Sequence, residues 1–190
     1  MKRICLIWIL GVAAVISLGG AAAAQDPASS SDRPPGNVNE LTLFRIRPGQ
    51  ETLSRVVARL GEHFHHPSPD EQDLYIWCDA RSRLQLSVEV KLGVIQVVSL
   101  SRPSGGDCTG HLVPAAARTG RGVALGISAA ELKHVYGKPF FEGPSSLGGQ
   151  NVHFVVFNFS WAGTDRPQIL EASFDGGDHL IKLTLSAEYY

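Results

Sequence analysis

Three histidines stand close together at His63, His65 and His66, and imidazole is a common ligand of zinc and copper. In an extended backbone, His63 and His65 would point to one side, and Asp70 or Glu71 could supply a third ligand. The alternative is a polar loop, because no cysteine or acidic residue follows at a fixed ligand spacing. We predict no metal site and no cofactor, and we keep a metal-binding or small-ligand carrier as an alternative function.

Residues that could act as nucleophiles have simpler explanations. Ser128 stands in a Gly-x-Ser sequence, but alanine replaces the glycine that a nucleophile elbow needs two positions later, and a helix N-cap accounts for this serine. Asp107, Asp175 and Asp178 lie in glycine-rich segments, where turn formation explains them better than calcium binding. Because spacing locates no nucleophile with a neighbouring base and no acid–base pair, we predict that the protein is not an enzyme.

Aromatic side chains in a predicted strand suggest a binding surface. In LYIWC, residues 74–78, Tyr75 and Trp77 alternate with aliphatic residues and Cys78. If the aliphatic side faces a helix, the two aromatic residues lie on the open face of the sheet, where exposed Trp and Tyr among polar residues are typical of binding hot spots. The alternative is that both rings belong to the core. The predicted partner-binding residues are Tyr75, Trp77, Glu89, Lys91, Glu171 and Lys182.

The N-terminus has the pattern of an export signal. Lys2 and Arg3 precede the apolar run Ile4 to Leu18, and three alanines ending at Ala24 provide a small-residue cleavage site, so the mature chain is expected to begin near Gln25. The apolar run is short for a membrane-spanning helix, so we expect no stable membrane insertion after cleavage and a periplasmic or secreted protein.

Loss of residues 1–24 leaves 166 of the 190 residues and changes the net charge from −1 to −3, because Lys2 and Arg3 leave with the signal. A mildly acidic chain gives no electrostatic reason to expect nucleic-acid binding. Two cysteines remain, Cys78 and Cys108, and an even pair in an oxidising compartment predicts a disulfide worth about 3 to 4 kcal/mol of stability.

Two similar helical segments divide the mature chain. The first begins at Thr52 and ends at Gly61, and the second begins at Ser128, carries Glu131 as the second half of a capping box, and ends at Gly137. Gapless alignment from Thr52 and Ser128 matches the two segments position by position. Their predicted apolar stripes are Leu53, Val56, Val57 and Leu60 in the first helix and Leu132, Val135 and Tyr136 in the second.

Three strand-like runs follow each helix, at residues 74–78, 83–91 and 94–100 and at residues 151–161, 169–175 and 179–186. LTLFRI, residues 41–46, also looks like a short strand. We predict an α+β fold of two tandem units, each a helix over a three-stranded antiparallel sheet. The expected organisation is a signal peptide at 1–24, a flexible leader at 25–39, a first unit at 40–101, a linker at 102–121 and a second unit at 122–190.

The second helix carries a phrase with a family resemblance, which reads Gly122, Val123, Leu125, Gly126, Ser128, Glu131, Leu132, Tyr136, Gly137 and Pro139. It resembles the opening of small exported bacterial modules of the BamE/SmpA-like group and of the related β-lactamase-inhibitor-protein fold. The resemblance implies tandem units that bind other proteins without catalysis. It transfers no binding residue, because the phrase consists of a cap, an apolar stripe and a helix stop.

The residues and the resemblance together predict an exported, non-enzymatic protein-binding or inhibitory module of the bacterial cell envelope. Its binding surface would be the open face of the joined sheets, and its partner another protein of the envelope or exterior. An envelope assembly scaffold is a second alternative, beside the carrier built on the histidines.

Overall fold

The structure, a computed structural model, describes residues 41–67, 73–103, 112–159 and 167–187. The predicted signal peptide, the leader and Cys108 lie outside these ranges. The described residues contain two α-helices, α1 (Leu53–Leu60) and α2 (Ala129–Tyr136), and the seven strands β1 (Leu74–Asp79), β2 (Leu84–Lys91), β3 (Val94–Ser101), β4 (Phe141–Leu147), β5 (Gln150–Phe159), β6 (Gln168–Phe174) and β7 (Leu180–Ala187).

All seven strands belong to one sheet in the order β1-β2-β3-β7-β6-β5-β4, and every neighbouring pair is antiparallel. Strands that are consecutive in sequence are neighbours in the sheet, with one exception. β3 is followed in sequence by β4, but it pairs with β7. There Leu100 lies opposite Leu183, and both side chains are fully buried. The predicted α+β class with antiparallel strands is therefore confirmed, and the strands form one continuous sheet.

Both helices pack against the same face of this sheet. The indole Nε1 of Trp77 in β1 donates a hydrogen bond of 3.0 Å to the carbonyl oxygen of Gly61 at the end of α1. At the end of α2, the ring of Tyr136 lies 5.5 Å and 5.6 Å from the rings of Phe157 and Phe159 in β5. The cross-strand register puts Trp77 and the two phenylalanines on one face of the sheet, which we name the helix face.

The predicted stripes of the two helices are confirmed. Val56 of α1 and Leu132 of α2 are fully buried, and the other stripe residues are buried or packed against the same core. α2 has the predicted capping box, in which the Ser128 hydroxyl accepts from the backbone N–H of Glu131 while the Glu131 carboxylate accepts from the N–H of Ser128. The cap predicted at Thr52 is wrong in detail, because its hydroxyl makes no bond to the helix backbone.

The segment after α2 has four strands, so the prediction of three is wrong. The missed strand β4 has the sequence FEGPSSL and lies at the edge of the sheet, where it pairs with β5 alone. Glycine and proline weaken a central strand, but an edge strand tolerates them because one side of its backbone needs no ladder partner. The backbone pairing with β5 forms this strand without an apolar pattern in its own sequence.

Two further expectations on segment type are corrected. Residues 41–46 form a turn rather than a strand, because Phe44 and Arg45 have positive φ angles of 55° and 60° and only Leu43 and Ile46 make isolated bridges. The predicted linker also contributes to the core over its described part. Thr119 is buried and pairs with Leu43, so this segment packs against the residues that precede α1.

Candidate functional site

The face of the sheet opposite the helices is covered by no helix within the described residues, and we name it the open face. In β2 the sequence alternates cleanly, so Leu86 and Val88 are buried on the helix face while Ser87 and Glu89 lie on the open face. The register carries this division across the sheet. The central open-face residues are the polar Gln85, Ser87, Glu89, Ser99, Ser101, Lys182, Thr184, Ser186, Glu171 and Ser173 and the half-buried apolar Val97 and Ile169.

Hydroxyl groups dominate the middle of the open face. Ser99 of β3 and Thr184 of β7 face each other across the join of the sheet, with their hydroxyl oxygens 2.9 Å apart. Four of the six predicted partner-binding residues share this face: Glu89 and Lys91 are exposed, and Glu171 and Lys182 are half-buried. The open face therefore mixes hydroxyl groups and charges of opposite sign with half-buried apolar residues such as Val97, Val156 and Ile169.

The placement of Tyr75 and Trp77 on the open face is wrong. Trp77 faces Leu86 across the β1–β2 ladder, is only 2% exposed, and therefore lies on the helix face. Tyr75 is on the same side, with its ring 5.0 Å from that of Phe64 and 6.4 Å from that of Trp77. Both rings pack in the core beside α1, so neither is an exposed binding anchor.

A small hollow of about 100 Å³ opens on the open face between β4 and β7. Val152 and Phe154 of β5 form its apolar part, and Ser173 lies beside them. Glu171 and Lys182 stand at its edge, and within the described structure neither side chain makes an ion pair or a hydrogen bond. The hollow therefore combines an apolar floor with two half-buried charges that have no partner.

A larger groove of about 520 Å³ lies on the other side of the molecule, between α2 and the segment before it. Its walls are mainly apolar, with Val123, Ile127 and Val135 next to Glu131 and His134. The hydrogen bonds from Ser128 hold the pKa of Glu131 below its usual value, so this carboxylate is committed to the helix cap. The groove thus offers apolar contacts but no free acid–base pair among these residues.

Tyr136 joins α2 to the predicted linker. Its hydroxyl donates a 2.7 Å hydrogen bond to the Thr119 hydroxyl, which in turn accepts from the backbone N–H of Val123. The guanidinium of Arg121 lies 5.7 Å from the centre of the Tyr136 ring. Burial raises the pKa of Tyr136 to about 12, because an ionised phenolate would lose its hydration in the core.

Because the pKa of Tyr136 is higher in the folded state than the ordinary value near 10, stability should be retained below pH 10 and lost as the pH rises toward 12. We expect the free energy of unfolding to fall by about 3 kcal/mol, because the pKa of Tyr136 is about 12 in the folded state and near 10 in the unfolded state. The change is isolated by comparing the wild type with Tyr136→Phe in urea unfolding between pH 9 and pH 12. A wild-type protein that follows the same pH curve as the variant would contradict the buried phenol.

The predicted histidine cluster lies along the edge of β1. His65 exchanges two backbone hydrogen bonds of 2.9 Å with Ile76, which extends the sheet edge by one bridge. The Nδ1 atom of His66 lies 2.8 Å from the carbonyl oxygen of Leu74, and its ring contacts Phe64 and Tyr75. No group of three potential metal ligands is found among the described residues, and Asp70 and Glu71 fall outside that part of the chain.

Asp175 and Asp178, two of the three aspartates considered for calcium binding, have structural roles. The third, Asp107, lies outside the described residues. The carboxylate of Asp175 accepts from the backbone N–H groups of His179 and Gly177, and these bonds, led by that from His179, lower its pKa. Asp178 accepts from the N–H of Ala129 and so connects the β6–β7 turn to the start of α2.

Cys78 in β1 is buried, and its predicted disulfide partner Cys108 lies outside the described residues. The pairing of these two cysteines therefore stays a prediction.

No protein-family model matches the chain, and no curated protein sequence matches it. Among solved structures, it is similar to a DUF4309 family protein (YjgB) from Bacillus subtilis subsp. subtilis str. 168, with a TM-score of 0.49 and 10% identity over 79% of this chain and 88% of the other. It is also similar to a cysteine-rich secretory protein (SAV1118) from Staphylococcus aureus subsp. aureus Mu50, with a TM-score of 0.39 and 10% identity. That match covers 82% of this chain and 46% of the other.

The family resemblance drawn from α2 stays a prediction. None of the helices in the described ranges is long and apolar enough to cross a membrane.

Proposed function

We propose that this protein is an exported, non-enzymatic module of the cell envelope that binds another protein through the open face of its sheet. The observation that carries the proposal is the unequal use of the two faces. Both helices and the segments before them pack on the helix face, whereas no described helix covers the open face. A sheet face of this extent is suited to a broad contact with a folded partner.

The shape and charge of the open face favour a protein over other partners. Its hollow of about 100 Å³ is smaller than the roughly 300 to 1,000 Å³ of typical small-molecule sites. Glu89 and Glu171 balance Lys91 and Lys182, so the face lacks the basic stripe that nucleic acids or anionic lipids require. Hydroxyl groups and mixed charges around half-buried apolar side chains resemble a protein–protein interface, in which charge complementarity selects the partner.

The proposal includes a duplicated architecture. α1 with β1–β3 and α2 with β4–β7 would be two copies of one unit, with their sheets joined between β3 and β7. The equivalent positions Val56 and Leu132 are both fully buried, and the glycines that end the two helices, Gly61 and Gly137, both have φ angles of 85°. These matches support the duplication, and they agree with the tandem units that the β-lactamase-inhibitor-protein resemblance implies.

Site-specific photocrosslinking tests the proposed surface. A photoreactive residue placed at Glu89, which is exposed on the open face, should give a protein adduct of defined mass in the native envelope. The matched control is the same residue at Arg59, which is exposed on α1 on the opposite side of the sheet. Adducts that form equally at both positions, or only at Arg59, would rule out the open face as the binding surface.

A further inference from the structure

Two charged side chains, Glu171 and Lys182, stand in the hollow. Among the described residues of the open face, they are the only half-buried charges that have no partner. Glu171 lies opposite Thr184 and Lys182 lies opposite Ser173 on the adjacent strands β6 and β7, so the two charges are diagonal neighbours. Diagonal neighbours in a sheet are about 7 to 8 Å apart. Neither forms an ion pair with the other or with any described residue.

The floor of the hollow has a different character from its edge. Val152 is buried and Phe154 is half-buried, and the volume of about 100 Å³ corresponds to roughly three water molecules at about 30 Å³ each. One small aliphatic side chain would fill this space and displace water from apolar surface. A second charged side chain would not fit there without losing its hydration.

Resting on the proposed function, we infer that this hollow selects the partner by binding a loop that carries an acidic and a basic residue beside one small aliphatic residue. The carboxylate of the loop pairs with Lys182, its basic group pairs with Glu171, and its aliphatic side chain enters the hollow. Residues i and i+2 of an extended segment are about 7 Å apart, which matches the spacing of diagonal neighbours in a sheet, the positions that Glu171 and Lys182 occupy. A segment with only one sign of charge would leave Glu171 or Lys182 facing a like charge.

A displayed library of disulfide-closed loops with seven randomised positions, selected against the intact protein, tests this inference. The selected loops should carry acidic and basic residues two positions apart next to a small aliphatic residue. Lys182→Glu should weaken their binding roughly tenfold or more, and a new selection against Lys182→Glu should replace the acidic residue with a basic one. Lys138→Glu makes the same change in net charge at an exposed site after α2 and should leave binding unchanged.

A further variant separates failure of this inference from failure of the proposed function. Ser99→Arg places a large side chain at the centre of the open face and should block every loop that binds there. Suppose that Ser99→Arg blocks the loops, but that they show no charge pattern and bind Lys182→Glu as well as the wild type. This result would contradict the role of Glu171 and Lys182 and leave the open face as the binding surface. Loops that bind Ser99→Arg as well as the wild type would contradict the open face as the binding surface. If Lys182→Glu does not fold by circular dichroism, Lys182→Met removes the charge and keeps the apolar stem.

Discussion

Trp77→Ala should destabilise the protein by about 3 to 5 kcal/mol, the usual range for truncating a buried Trp or Phe. Trp77 is almost completely buried, and its ring lies 5.3 Å from that of Phe64. The variant would leave a cavity beneath α1 and would remove the bond from Nε1 to the carbonyl oxygen of Gly61. Urea unfolding followed by circular dichroism gives the change in the free energy of unfolding.

Trp77→Phe is the matched control, because it keeps an aromatic ring in the core while it removes the indole N–H and part of the ring volume. We expect it to cost less than Trp77→Ala, with about 1 kcal/mol assigned to the lost hydrogen bond. A loss below 1 kcal/mol for Trp77→Ala would mean that the ring is exposed and would restore it as a candidate binding anchor on the open face.

The misplacement of Trp77 shows where sequence patterns stop being informative. In β2 apolar and polar residues alternate, so the sequence predicts correctly which side of the strand is buried. In β1 Ile76, Trp77 and Cys78 are all buried, so alternation cannot choose a face. The choice depends on contacts that are distant in sequence, chiefly the bond from Trp77 to Gly61 and the pairing of Ile76 with His65.

Local signals made α2 predictable and β4 unpredictable. The cap at Ser128, the buried Leu132 and the stop at Gly137 all lie within ten residues, so each can be recognised without knowledge of the fold. β4 has no such signal, because its strand conformation depends on pairing with β5. For the same reason, the hollow near Glu171 and Lys182 was not predicted, although both residues were correctly assigned to the open face.

The continuous sheet leads to a second prediction of large effect, at the join between β3 and β7. Leu100 and Leu183 are cross-strand neighbours, and both are fully buried between the two halves of the chain. Each Leu→Ala change should cost about 2 to 5 kcal/mol. Because the side chains are in neighbouring strands, their effects should couple by about 0.5 to 3 kcal/mol in a double-mutant cycle.

The control cycle combines Leu183→Ala with Val90→Ala. Val90 lies on the same face but belongs to β2 and pairs with Ile95, so it shares no cross-strand partner with Leu183, and these two effects should add to within about 0.5 kcal/mol. An osmolyte that favours the compact state can keep the double variants folded for measurement. If the two halves share one core across the join, the wild type unfolds in a single transition and Leu100 couples to Leu183. Two separate transitions, or an additive Leu100–Leu183 pair, would mean that the halves fold independently and that the open face is not one rigid surface.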